Sequence, residues 1–218
     1  ERALRRACEL DEGHAEAFCN LGLLLARQGR LDEGARFLRQ GHALGAKRKG
    51  WPYPSARWLD EAEAARALLP RLPEVIAGKD KPADTGERLR WAGAAEDYLK
   101  QPALALRLYA EALKEEPRVS ARIGSRPRVQ AAGCAVALGG AHRAQALALL
   151  REDVDRCRKA EGSDAKDAAA WLPVLLSLRE LAPVRDEPGL SSLPEEERES
   201  WTALWADARR ALEALRRR

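Results

Sequence analysis

The stretch Ala15–Arg48, AEAFCNLGLLLARQGRLDEGARFLRQGHALGAKR, decides the fold. Phe18, Leu21, Gly22 and Leu25 fall at i, i+3, i+4 and i+7, one face of a helix. Gly29 sits where a turn is needed. Leu31, Gly34, Leu38 and Gly41 then mark the inner face of a second helix. The spacing predicts an antiparallel helix pair over 15–45, broken at 28–31. Gly22, Gly34 and Gly41 fall where the two helices must approach closely, because a residue without a side chain lets backbones meet.

The composition agrees with helices. The chain has 218 residues, 45% of them apolar but only 5% aromatic, and Ala, Leu, Arg and Glu dominate. β-branched residues are scarce and no run alternates with period two, so no sheet is expected. No apolar stretch is long enough to span a bilayer and no secretory signal is visible, so no membrane insertion is expected and the expected location is cytoplasmic. Met is absent, and segment 1–14 looks like the second half of a repeat, so the chain reads as a piece of a longer protein. The net charge of +4 is modest and interleaved with carboxylates, as on solvated helix faces. The one dense basic cluster is Arg209, Arg210, Arg216, Arg217 and Arg218.

Working outward, residues 1–10 read as a helix with Ala3, Leu4, Ala7 and Leu10 inward. The segment 45–54, containing Trp51-Pro52-Tyr53-Pro54, reads as a stiff linker. Ser55 is expected to cap a helix over 56–69, with Trp58, Leu59, Ala62, Ala65 and Leu69 inward. A short turn from Pro73 ends at Gly78. A second helix pair spans 86–117, with Pro102 suited to a first turn and Pro117 to a stop. A third pair, 127–138 and 142–159, turns at Gly139–Gly140, and Ala132, Gly133, Ala135 and Ala137 imply tight packing. A helix over 165–181 carries Trp171, and Pro173 either kinks it or marks its true start. Ser192-Leu193-Pro194-Glu195 reads as a capping box opening a last helix over 193–215, lined by Trp201, Leu204, Trp205, Ala208, Leu212 and Leu215. The three tryptophans Trp171, Trp201 and Trp205 are expected to seal the end of a helical stack.

The Ala15–Arg48 pattern resembles the tetratricopeptide repeat. The resemblance extends further through GWPYPSARWLDEAE (50–63), KPADTGERL (81–89), LALRLYAEALKEEP (104–117), AAGCAVAL (131–138) and LPEEERESWTALWADARRAL (193–212). In order and spacing these resemble the C-terminal repeat regions of bacterial serine/threonine kinases of the eukaryote-like type, and of repeat proteins lacking the kinase domain. Relatives commonly carry Asn-Ala-Ala-Cys where this chain has Gln130-Ala131-Ala132-Gly133-Cys134, and a Tyr-rich helix where it has Glu96–Lys100. The resemblance implies an all-α, right-handed superhelix of stacked helical hairpins, roughly nine to eleven helices. The implied organisation is repeat units over 1–48 (the first partial), a linker and degenerate unit over 49–85, a full unit over 86–117, a degenerate hairpin over 118–160 and capping helices over 161–218. The implied function is a protein-interaction or scaffolding module without enzymatic activity of its own.

The search for chemistry is mostly negative. There is no kinase signature and no phosphate loop, since Gly78-Lys79-Asp80 lacks both the upstream Gly and the Ser/Thr. Cys8, Cys19, Cys134 and Cys157 form no CxxC pair, and Cys8, His14 and Cys19 match no standard zinc spacing, so neither metal nor cofactor is expected. In repeat proteins of this type an Asn at the position of Asn20 often faces the concave groove. The implied partner-binding residues are Asn20, Leu23 and Arg27, with Cys19 on the same face, and Arg90, Asp97 and Tyr98, with Ala94, in the second unit. Arg27 and Arg90 favour an acidic protein or peptide partner. A plain helix-surface Asn is the competing reading of Asn20. Two other classes remain open: a part of an enzyme whose catalytic domain lies upstream, and nucleic-acid binding through the arginine-rich end, which no aromatic or glycine-rich reader accompanies.

Overall fold

The computed structural model describes residues 1–217. Among them it is all-helical, with twelve α-helices, three short 3-10 segments and no strand. Arg218, the last arginine of the basic cluster, lies outside the described residues. Two compact units divide between Ala105 and Leu106. The count exceeds the expected range because two helices are five residues long, too short for periodicity to reveal.

The first unit contains α1 (Arg2–Leu10), α2 (Ala15–Arg27), α3 (Leu31–Gly45), α4 (Ser55–Leu68), α5 (Leu72–Ile76) and α6 (Thr85–Asp97). Its centre is the α2–α3 pair, and the glycines behave as their spacing predicts. A Cβ at Gly22 would come within 2.7 Å of the Leu38 backbone nitrogen, and one at Gly34 within 2.7 Å of the Ala26 nitrogen. A Cβ at Gly41 would meet the Cys19 nitrogen and sulfur at 2.6 Å. The helices are thus in backbone contact at three successive levels. Gly29, at φ +83°, ends α2 in the left-handed region. There Gly29 N–H bonds the Ala26 carbonyl and Arg30 N–H the Leu25 carbonyl, satisfying groups that a helix end leaves orphaned.

Helices α1, α4 and α6 build outward from this pair. Cys8 of α1 packs into a cluster with Ala17, Phe18, Leu21 and Leu25. Leu10, expected inward, is 70% exposed, because the chain leaves α1 at Asp11 in an extended conformation and Cys8 takes the inward position. On the other side α4 packs on α3, and α6 on α4. Here Ala26, Leu31, Leu38, Ala62, Ala65, Ala94 and Tyr98 form one core. Leu68, not Leu69, is the buried residue at the end of α4. Ser55 does not cap α4. Its buried Oγ lies 2.9 Å from His42 Nδ1 and accepts from Trp51 Nε1 at 2.9 Å, pinning the linker to the end of α3. Trp51 lies against Gly45, where a Cβ would come within 2.4 Å of its ring.

The segment 79–85 carries a cap the sequence reading passed over. Asp84 accepts from Glu87 N–H at 2.7 Å, and the Glu87 carboxylate accepts from Ala83 N–H at 2.6 Å, opening α6. Helix α7 (Pro102–Glu115) spans the division, so the expected unit 86–117 is shared between the two compact bodies.

The second unit continues with α8 (Pro117–Ala121), α9 (Arg126–Leu138), α10 (His142–Lys159), α11 (Gly162–Leu175) and α12 (Glu195–Arg216). Helices α9 and α10 pair around Gly139–Gly140, and α12 packs on both α10 and α11. Ala137 faces solvent while Ala131, Ala132, Gly133 and Ala135 are buried. The helix expected over 165–181 begins earlier and stops at Leu175. Pro173 lies inside it near its end, and a 3-10 segment, Arg179–Val184, follows. The capping box is absent. Pro194 holds the N-cap position, and Ser192, two residues upstream, donates to the Gly189 carbonyl at 2.6 Å. Trp201 and Trp205 are fully buried with centroids 6.0 Å apart and rings nearly parallel. Trp205 Nε1 donates to the Val184 carbonyl at 2.8 Å, tying α12 to the 3-10 segment.

Substituting Gly22 or Gly41 by Ala forces the two backbones apart. Each change is expected to lower stability by about 1–3 kcal/mol, the overpacking range, measured by chemical denaturation. Gly50→Ala, at a site with no atom within 4 Å, is expected to cost only the left-handed strain it introduces, about 1–2 kcal/mol, and to leave helix packing intact by NMR.

Candidate partner-binding surfaces

Asn20, Leu23 and Arg27 fall at i, i+3 and i+7 on α2. Asn20 and Arg27 are exposed. Leu23 is half-buried against the core that includes Leu38, Ala62 and Ala94. Cys19 leaves this face entirely, since it is buried against Gly41. On α6, Arg90 is exposed and Asp97 half-buried, while Ala94 is in the core. Tyr98 is 4% exposed, not a groove residue. It follows the last turn of α6, tucks under α4 and donates its hydroxyl to the Trp58 carbonyl at 3.3 Å. Burial, with the Glu61 and Asp97 carboxylates adding to it, pushes its phenol well above the usual range.

A residue absent from the sequence reading organises this region. Glu61 of α4 is 7% exposed and faces Gly93, where a Cβ would come 3.2 Å from Oε1. Arg57 Nε lies 3.4 Å from the same oxygen. Burial raises the Glu61 carboxyl to about 7. Arg57 and Arg27 oppose that rise, while Asp97 and Asp60 add to it. Arg27, Asp97 and Tyr98 therefore do converge, around a buried carboxylate. Its sequence signal was weak: Glu61 adjoins the apolar positions Trp58, Ala62 and Ala65, within a run, Asp60-Glu61-Ala62-Glu63, that reads as surface.

The second unit holds a fully buried ion pair. Arg128 of α9 and Asp153 of α10 are both at 0% exposure, with Nη1 donating to Oδ1 at 2.8 Å. Asp153 also accepts from Trp171 Nε1 at 2.6 Å and from Gly124 N–H at 3.3 Å. Arg128 donates to the Ser120 carbonyl and, at 3.4 Å, to the Arg122 carbonyl. Burial pushes the Asp153 carboxyl up, and Arg128 and the Trp171 bond hold it down. The pair thus fastens the 120–124 turn on one side and α11 on the other. Between those walls opens a pocket of about 540 Å³, lined by Arg122, Ile123, Asp164, Asp167, Trp171 and Val174, with Ala121 and Ala170. The signal for this site was present. Asp153 continues the buried stripe Ala146, Leu150, Val154, Cys157, and Arg128 the stripe Ala131, Ala132, Ala135.

Other candidate chemistry stays dispersed. Among the described residues no three His, Cys, Asp or Glu side chains are placed to hold a metal ion. All four cysteines are buried free thiols, and burial pushes Cys19 up to about 11 and Cys157 up to about 12. Arg209, Arg216 and Arg217 are exposed, and Arg210 pairs with Asp207 at 2.5 Å. No helix among the described residues is long and apolar enough to cross a membrane.

No protein-family model matches the chain, and no curated protein or solved structure shows a significant similarity to it.

Two outcomes are expected from the buried charges. Because the folded carboxyl of Glu61 titrates near 7 against an ordinary 4.5, the unfolded state holds fewer protons between those values. Stability from this group is full below about 4.5 and falls as pH rises to about 7. Glu61→Gln should therefore raise the melting temperature at pH 8, by about 1–3 kcal/mol equivalent, and change little at pH 4.5. Asp153→Ala leaves buried Arg128 with only the half-exposed Glu152 carboxylate, 3.6 Å away, and should cost about 3–5 kcal/mol in denaturant unfolding, whereas Arg128→Met with Asp153→Leu should recover most of it.

Proposed function

We propose that this chain is a protein-interaction module of the tetratricopeptide type, the non-catalytic region of a bacterial serine/threonine kinase or of a related repeat protein. The observation that carries this reading is the backbone contact of α2 and α3 at Gly22, Gly34 and Gly41, the small-residue arrangement that lets such a hairpin stack closely. The order in which α3, α4 and α6 pack, each on its predecessor, supports reading them as successive layers of a right-handed stack.

The binding face is the exposed stripe of α2. Asn20 carries a donor and an acceptor on one amide, and so can pair with a peptide backbone in both directions. Arg27, about two turns beyond it, offers a fork of donors suited to a carboxylate, and Arg90 presents a second such group on α6. Asp97 is half-buried and, like Arg27, acts on the Glu61 carboxyl; Tyr98 serves as core. The partner is an extended acidic peptide segment.

The test is a titration of the isotope-labelled chain with acetyl-Leu-Glu-Leu-Glu bearing a free terminal carboxylate. Shifts of the Asn20 side-chain amide signals are expected, and Arg27→Ala with Arg90→Ala should weaken binding about tenfold. Unmoved Asn20 signals at millimolar peptide, or an undiminished affinity in the double variant, would remove the α2 face as the site.

A further inference from the structure

We propose that the pocket between α11 and the 120–124 turn is a second docking site, of opposite charge preference, for a partner segment carrying a lysine or arginine next to an aliphatic residue. It lies wholly within the second unit and does not depend on the α2 face. Asp164, Asp167, Trp171 and Val174 fall at i, i+3, i+7 and i+10 on α11 and form one wall. Ile123 and Arg122 form the facing wall. Ile123, Trp171 and Val174 supply its apolar lining, Val174 is 46% exposed, and the volume of about 540 Å³ suits one or two side chains of a bound segment.

Charge selects the occupant. Asp164 and Asp167 pair with no cation among the described residues, so both are available at the rim. Arg122 is the only cation in the lining, which leaves a net negative mouth above apolar side chains. No third ligand joins the two carboxylates to hold a metal ion among the described residues. A long cationic side chain fits both halves: its methylene stem covers Ile123, Trp171 and Val174 while its head meets the carboxylates. The walls are also held rigidly for their task. Asp153 bonds both Trp171 and the backbone of Gly124, so a single buried carboxylate fixes the spacing across the pocket.

The readout is the Trp171 indole N–H signal, assigned with Trp171→Phe, because that proton sits on Asp153 at the pocket wall. The probe is acetyl-Leu-Arg-Leu-Arg-amide, with acetyl-Leu-Glu-Leu-Glu-amide as its counterpart. The arginine peptide is expected to shift the Trp171 signal saturably and the glutamate peptide to leave it in place. Asp164→Asn with Asp167→Asn should weaken the arginine peptide about fivefold to tenfold, and Arg122→Ala should tighten it. Both changes are on exposed side chains, and an unaltered Trp171 signal in the free variants verifies that the pocket is intact. The proposal is overturned if the arginine peptide leaves Trp171 unmoved at millimolar concentration, if the glutamate peptide binds equally, or if the double Asn variant binds as the parent does.

Discussion

Backbone contact between α2 and α3 is the constraint from which the first unit follows. With a methyl group at Gly22, Gly34 or Gly41 the nearest heavy atoms would stand 2.6–2.7 Å away, closer than side chains ever pack. Three such positions along one seam fix the separation and the angle of the pair together. Everything else in that unit is laid against this seam. Phe18, Leu21 and Leu25 face α1, while Leu38 faces α4 and, through it, Ala94 and Tyr98. Asn20 and Arg27 stay exposed because they belong neither to the α2 positions on the glycine seam nor to those packed in the α1 cluster.

Each unit buries charge, and the two cases differ in kind. Glu61 is a carboxylate pressed against Gly93 with mixed neighbours of both signs, so burial dominates and the group titrates near neutrality. Arg128 and Asp153 form a direct pair in which Trp171 and Gly124 also donate to the carboxylate and the guanidinium also donates to the Ser120 and Arg122 carbonyls, while the buried Arg128 Nε has no partner. A buried pair of this kind contributes little net stability compared with apolar replacements. What it supplies is position. Three separate segments, the 120–124 turn, α10 and α11, meet at one carboxylate, and a hydrophobic contact would not hold them in one register.

The parts of the fold legible in the sequence are those governed by spacing. The glycine and leucine positions of 15–45, the Gly139–Gly140 turn and the Trp201–Trp205 helix stand where periodicity put them, because a helix face is a local property. Capping was less legible. Ser55 and Ser192 look like N-caps, yet their hydroxyls bond Trp51 and Gly189, while Asp84 caps α6. A hydroxyl has several partners within reach, and which one it takes depends on where the chain turns next. The candidate sites were legible in part. Asn20, Leu23 and Arg27 share a stripe, as their spacing requires, but Tyr98 turns inward because α6 ends one residue before it. Glu61, Arg128 and Asp153 escaped notice for a common reason. A charged residue in an apolar stripe reads as an interruption until the opposing helix is known, and its partner lies 25 residues away in one case.

The four buried thiols give the two units separate clocks. Cys8 and Cys19 lie in the first body, Cys134 and Cys157 in the second, and none is accessible in the closed state. A thiol reagent can reach each sulfur only when the helices around it part. Cys19 is the most informative, because its sulfur sits on the glycine seam itself, 2.6 Å from where a Gly41 Cβ would be. Its modification rate times the separation of α2 from α3, while Cys157, buried on α10 one turn beyond Asp153, times the loosening of the second body. The chain thereby carries a built-in record of how often, and in which order, its halves breathe.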